Sequence, residues 1–236
     1  MKWLLVLILS LLVGGGPAVV TEVAPVLIPM PTPTPTVQVR KSFVLLNMPF
    51  TSQAPNGEWS DPRHQDGCEE AAALMAAEWS KCNSNCNRIE KNYAAREIEK
   101  IWEWEVENYG SGVDTSVEDT AVRIIGKYFG VSAYRIVSVS EYQQIRDEIE
   151  KGSLVIVPVD GRGLNPNYTA PGPERHMILI RGYDDETGEF ITNDAGTRRG
   201  EKYRYKYRTL FNAIRDYPTG DHIPITGVDK KMIVVQ

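Results

Sequence analysis

Residues 141–159 read EYQQIRDEIEKGSLVIVPV, and the apolar period changes inside this stretch. Up to Lys151 the pattern is helical, with Ser140 placed to cap the start and Gly152 to end it. After Gly152 the chain becomes a short run rich in valine and isoleucine, the signature of a strand. Downstream, HMILIRGY (176–183), EFITND (189–194) and KMIVV (231–235) repeat the extended pattern. Upstream the helical pattern dominates. CEEAAALMAAEW (68–79) is built of strong helix formers, with Glu69 and Glu70 in the first turn where they complement the helix dipole. Ile98, Ile101, Trp102 and Val106 fall at helical spacing within 90–108, with Gly110 as a stop, and 117–129 lies between Ser116 and Gly130. Helices gathered before strands predict an α+β domain in which an N-terminal helical half packs on an antiparallel β-sheet.

Two connecting segments complete the outline. Residues 43–48 form a short apolar entry strand, and the loop TSQAPNGEWSDPRHQDG (51–67) carries two prolines and two glycines that exclude regular structure. Near the C-terminus Tyr203, Tyr205 and Tyr207 alternate with Lys202, Arg204, Lys206 and Arg208, a period of two that predicts a half-exposed strand with rings on one face and cations on the other.

The chain has 236 residues, 42% hydrophobic and 24% charged, which excludes a disordered, collagen-like or polytopic membrane protein. A net charge of −5 argues against a nucleic-acid partner. The first forty residues depart from this average. Lys2, an apolar run from Trp3 to Val13 and then Gly14, Gly15, Gly16, Pro17 and Ala18 follow the order of a secretory signal, and residues 3–20 are also long enough for a marginal membrane tether. PVLIPMPTPTPTV (25–37) favours extended polyproline II. The expected organisation is therefore a signal peptide or membrane anchor over 1–20, a proline-rich linker over 21–40 and one folded domain over 41–236, placed outside the cytoplasm, secreted or anchored to the outer face of the membrane. Export makes a local disulfide between Cys82 and Cys86 in KCNSNCN the first reading, which leaves Cys68 as the free thiol.

Cys68 follows Gly67 at a helix start, where unpaired N–H groups and the positive end of the dipole favour a thiolate. His176 opens a strand after a proline- and glycine-bearing loop, a position suited to a catalytic base. Asp194 ends the next strand, and antiparallel neighbours joined through 184–188 can bring it to His176. Asn193 competes for that place, and strand alternation allows only one of the two to face the ring. The loop 161–176, GRGLNPNYTAPGPERH, leads into His176 and is expected to form one wall of a cleft, with Asn165, Asn167 and Tyr168 as candidate substrate contacts. His64 and His222 lie in polar loops and read as surface residues. No histidines or cysteines fall at zinc-ligand spacing, so neither a metal nor a cofactor is expected.

Four segments taken in order, MPFTSQ (48–53), DGCEEAAALMA (66–76), HMILIRGYD (176–184) and TNDAG (192–196), resemble the double-glycine-leader, bacteriocin-processing cysteine peptidases of family thirty-nine, in particular their stand-alone relatives of papain-like fold. The resemblance implies a papain-like cysteine peptidase domain with Cys68 as nucleophile, His176 as general base, Asp194 as the residue orienting His176, and Gln53 as side-chain donor of an oxyanion hole shared with the Cys68 backbone N–H. Gln65, also upstream of Cys68, is an alternative donor. Glu69 and Glu70 depart from the family pattern, which has glycine and small residues there more often, and a carboxylate beside Cys68 disfavours the thiolate unless it points to solvent. The expected activity is hydrolysis of an amide bond in a peptide or cell-wall peptide by an exported cysteine peptidase. The alternative is a non-catalytic cell-wall or peptide-binding module on the same fold.

Overall fold

The structure, a computed structural model, describes residues 40–82, 86, 88–164 and 168–236. The signal peptide or anchor expected over 1–20, the linker expected over 21–40 apart from Arg40, and the expected substrate contacts Asn165 and Asn167 lie outside the described residues. Strand β4 (His176–Asp184) organises the domain, and all of it except Asp184 is buried. Along one edge it pairs with β3 (Leu154–Val159), from Val159↔His176 to Val155↔Ile180, and then with β1 (Phe43–Leu45) at Gly182–Asp184. Along the other it pairs with β5 (Glu189–Asp194), whose last residue sits opposite Ile178. With β2 (Tyr134–Ser138), β6 (Glu201–Lys206) and β7 (Lys231–Val235) the sheet runs β2-β7-β3-β4-β5-β6, and every pairing is antiparallel.

Alternate residues of β3 and β4 divide between two cores. Leu154, Ile156, Met177 and Leu179 pack with the alanine-rich helix α2 (Cys68–Lys81), with α3 (Lys91–Tyr109) and with the helical segment beginning at Val117. Val155, Val157, Ile178 and Ile180 pack on the opposite face with α5 (Tyr142–Glu150) and α6 (Tyr207–Ala213). Each such side chain contributes about 1.5–3 kcal/mol of burial free energy, which explains why these strands are continuous apolar runs. The domain is thus an α+β fold whose sheet is covered on both faces; α5 and α6 cover the second face, beyond the N-terminal helical half that the sequence pattern stresses. Residues 40–236 form one compact unit.

Four local expectations are corrected. The loop 51–67 contains a one-turn helix, α1 (Pro62–Gln65), because Pro62 stands at a helix start, where its missing N–H costs nothing, and the Asp61 side chain accepts from the Arg63 N–H at 3.0 Å. The segment Val117–Asp119 (α4) does not continue as α-helix; Thr120–Tyr128 is π-wound. β2 has no counterpart in the pattern reading, since it is a half-exposed edge strand whose partner β7 lies almost a hundred residues on. Finally, β6 ends at Lys206, and Tyr207 begins α6 with its ring against Phe190 and Tyr142.

Candidate active site

The loop before α2 sets where Cys68 stands. Gly67 approaches Arg63 so closely that a Cβ there would lie 2.5 Å from the Arg63 carbonyl oxygen, so only glycine permits α1 to turn directly into α2. Cys68 is the first residue of α2, in the turn whose N–H groups have no intrahelical acceptor. The Met177 backbone N–H reaches its sulfur, which ties the helix start to the first residues of β4. Beside it, His176 opens β4 and its Nε2 bonds Asp194 Oδ1 at 2.8 Å, leaving Nδ1 as the ring nitrogen not committed to the carboxylate. Cys68 and His176 line the same cleft of about 810 Å³, together with Gln53, Gln65 and Tyr168.

Asp194, with no exposed surface, is fixed by three further donors: the Tyr168 hydroxyl at 2.5 Å, the Tyr205 hydroxyl at 2.6 Å and the Gly196 N–H at 3.0 Å. Burial works against its charge, but His176 and the hydrogen bonds hold its carboxyl below the usual range. Asn193 points the other way, accepting from Arg181 Nη1 at 3.2 Å and donating to the Pro49 carbonyl at 2.9 Å. Gly196 lets the turn close over the ring, since a Cβ there would lie 2.9 Å from His176 Cε1. Tyr168 stands edge-on to His176, centroids 5.4 Å apart. Its hydroxyl is committed to Asp194, so its ring is the part that faces the cleft.

Gln53 is buried, and its Nε2 donates to the His64 and Gln65 carbonyls at 3.0 and 2.8 Å, while Oε1 is buried without a partner. Donation toward a substrate oxygen would require exchanging one of these bonds. His64 is not a surface residue. It is fully buried, with Nδ1 donating to the Gln53 carbonyl at 2.7 Å and Nε2 3.1 Å from Glu99 Oε1. His222 is exposed and bonds Asp114. Three residues with clear places around the site were not picked out by sequence reasoning: Tyr205, Tyr217 and Glu105. Tyr205 carried a signal, because the alternating run puts it on the ring-bearing face of its strand with Tyr203, and on that strand it is the buried one of the two. Cys82 and Cys86 form a disulfide remote from the cleft, and Cys68 is the free cysteine.

With this geometry in view, comparison with known proteins assigns the family. The model of the Peptidase C39 like family matches residues 45–218, about three quarters of the chain. The chain belongs to that family. No curated protein matches this peptidase-family chain. Among solved structures it is similar to a protein described as a C39-like peptidase from Bacillus anthracis, at 12% identity and a TM-score of 0.52, with 83% of this chain and 98% of that one covered. It is also similar to xylellain, a cysteine protease from Xylella fastidiosa, at 14% identity and a TM-score of 0.41, with 84% and 87% covered. The fold is the papain-like one of the C39-like peptidases, with a mixed helical and antiparallel architecture.

In this member of the C39-like family the surroundings of Cys68 are acidic and buried. Its Sγ donates to Glu69 Oε2 at 3.0 Å, and Tyr217 donates to Glu69 Oε1 at 2.5 Å. Burial first, and then the Glu69 carboxylate, push the Cys68 thiol well above its ordinary range, while the Met177 N–H pulls the other way. Glu70 and Glu105 are buried behind Glu69, with Glu70 Oε2 and both Glu105 oxygens unpartnered. Burial and the neighbouring carboxylates raise Glu70 well above the usual range and Glu105 to about 8. Because the folded value for Glu105 lies above the unfolded one of about 4.3, the stability its protonated form contributes is complete below that pH and is lost as pH rises through about 8. Glu105→Gln is therefore expected to gain thermal stability relative to the wild type between pH 5 and pH 8.5; an unchanged difference in melting temperature across that range would contradict the burial of an unpaired carboxyl.

Proposed function

We propose that this member of the C39-like peptidase family is an exported cysteine peptidase in which Cys68 attacks the carbonyl of an amide bond. His176 takes the thiol proton through Nδ1 and returns it to the leaving amine, and water then hydrolyses the acyl-enzyme. Asp194 fixes the ring by accepting from Nε2–H and stabilises the imidazolium. The observation that carries this reading is the 2.8 Å His176–Asp194 bond in the wall of the cleft that Cys68 also lines. The Cys68 backbone N–H and Gln53 supply the oxyanion hole. The substrate is a peptide or cell-wall peptide laid along the cleft against Tyr168 and the loop bearing Asn165 and Asn167. The disulfide and the apolar start of the chain support an extracytoplasmic site of action, secreted or tethered through residues 3–20.

The test is whether new amino termini appear when the protein is incubated with an unfolded polypeptide, and whether one equivalent of alkylating agent on Cys68 stops them. Hydrolysis that survives stoichiometric alkylation would rule the proposal out. For Gln53→Ala the expected fall in turnover is roughly ten- to a thousand-fold, the size for one lost oxyanion donor. A loss confined to Gln65→Ala would move the donor to that residue.

A second reading is favoured by one observation, the Cys68–Glu69 contact that holds the thiol protonated. On that reading the domain binds wall or other peptides in the cleft without cutting them. Peptide binding with no new amino termini at any pH from 4 to 9 would select it.

A further inference from the structure

Glu69 occupies a place that the proposed mechanism does not use. The residue is 2% exposed, with one carboxyl oxygen 3.0 Å from the Cys68 sulfur and the other 2.5 Å from the Tyr217 hydroxyl. The charged and titratable groups facing it come from every side. Cys68 and Glu70 share its helix, Glu105 stands on α3, Asp114 lies in the loop after α3, and Tyr217 lies in the segment after α6, while Asp66, just before the helix, faces Glu70. Among the described residues no lysine, arginine or histidine forms an ion pair with Glu69; Arg123 and Asp119 face Glu105 behind it, and Arg175 pairs with Asp114. Two negative charges this close in a buried site exclude each other, as in any carboxylate pair that must share a proton. A Cys68 thiolate and a Glu69 carboxylate therefore cannot coexist in this geometry.

We propose that Glu69 is a proton gate for Cys68: the attacking thiolate forms only while Glu69 carries a proton, so the peptidase is held latent at alkaline pH and released by mild acid. The inference rests on Cys68 being the nucleophile. In the latent form one proton is shared among the three groups, on the Cys68 sulfur, with Glu69 ionised and His176 neutral. Uptake of one proton protonates Glu69; the thiol proton then passes to His176 Nδ1, and the Glu69 O–H donates to the thiolate it formerly opposed. Burial raises the affinity of Glu69 for this proton, while the bonds from Cys68 and Tyr217 lower it and Asp114 raises it. Tyr217 thus sets the pH at which the gate opens by stabilising the closed, ionised form.

The experiment measures Cys68 alkylation by iodoacetamide and peptide hydrolysis from pH 4.5 to 9 for the wild type, Glu69→Gln and Tyr217→Phe. Glu69→Gln removes the opposing charge and leaves an N–H able to donate to the sulfur. At pH 7.5 it is expected to alkylate at least tenfold faster than the wild type, and its hydrolysis should no longer fall on the alkaline side. Tyr217→Phe removes the bond that favours the carboxylate, so its alkaline limb should move to higher pH by a smaller amount; this variant serves if Glu69→Gln does not fold. Alkylation and rate profiles superimposable on the wild type in both variants, or a shift of the Tyr217→Phe limb to lower pH, would overturn the gate. The enzyme reading fails separately: faster alkylation in Glu69→Gln with no hydrolysis by any form at any pH would uphold the gate and remove the peptidase.

Discussion

Cys68→Ala is expected to abolish hydrolysis, by a factor on the order of a thousand or more, while the protein keeps its fold. The size follows from removing a nucleophile whose partners act as a unit, so that the remaining groups cannot substitute for it. The fold should persist because alanine suits a helix start packed among the alanines of α2, and Cys68 contributes only one sulfur to that core. The substitution also removes the S–H that donates to Glu69 Oε2, which costs little if Glu69 takes up a proton instead. Circular dichroism and the thermal midpoint should lie close to wild type, within about 1 kcal/mol, while the count of new amino termini falls to background. Turnover at the wild-type rate would end the assignment of the nucleophile.

Asp194→Ala is expected to have the second-largest effect, and it should damage both chemistry and stability. Four donors converge on this buried carboxylate: His176 Nε2, the Tyr168 and Tyr205 hydroxyls and the Gly196 N–H. Removing the acceptor, which has no exposed surface, leaves them without their shared partner, a cost of roughly 2–4 kcal/mol, and frees the imidazole from the orientation that serves Cys68. Asp194→Asn keeps an oxygen for the imidazole, and the tyrosine hydroxyls can turn to accept from its amide, so it should retain the fold and part of the activity. Asn193→Ala should separate the two effects. Its side chain holds Arg181 and the Pro49 carbonyl on the opposite side of the strand, so stability should fall while the rate per folded molecule stays near wild type. A crippling Asn193→Ala alongside a silent Asp194→Ala would exchange the two roles.

What could be read in the sequence was what depends on local period. The apolar runs of β3, β4, β5 and β7 and the helices α2, α3 and α5 stand where valine-rich runs and helical spacing put them, because burial dictates both pattern and partner. The same alternation separates Asn193 from Asp194. The rest depends on contacts between distant residues. His64 looks like a surface residue in a loop of proline and glycine, yet Glu99, 35 positions away, and the Gln53 carbonyl bury it. Tyr217 reaches Glu69 across 148 positions, a separation no periodicity encodes. Glu69 and Glu70 were recognisable as unusual neighbours for a nucleophile. Their direction was not, because the outcome turns on whether a helix first turn faces solvent or the packed interior, and here it faces the interior.

On the proposed mechanism Cys68 forms a covalent acyl intermediate with help from His176. The intact-protein mass after brief mixing with an activated peptide ester at mildly acidic pH, followed by acid quench, tests this most directly. The expected result is a single acyl adduct that maps to Cys68, decays on incubation as product appears, and is absent from Cys68→Ala. Product formation with no adduct on Cys68, or an adduct that persists in Cys68→Ala, would contradict it.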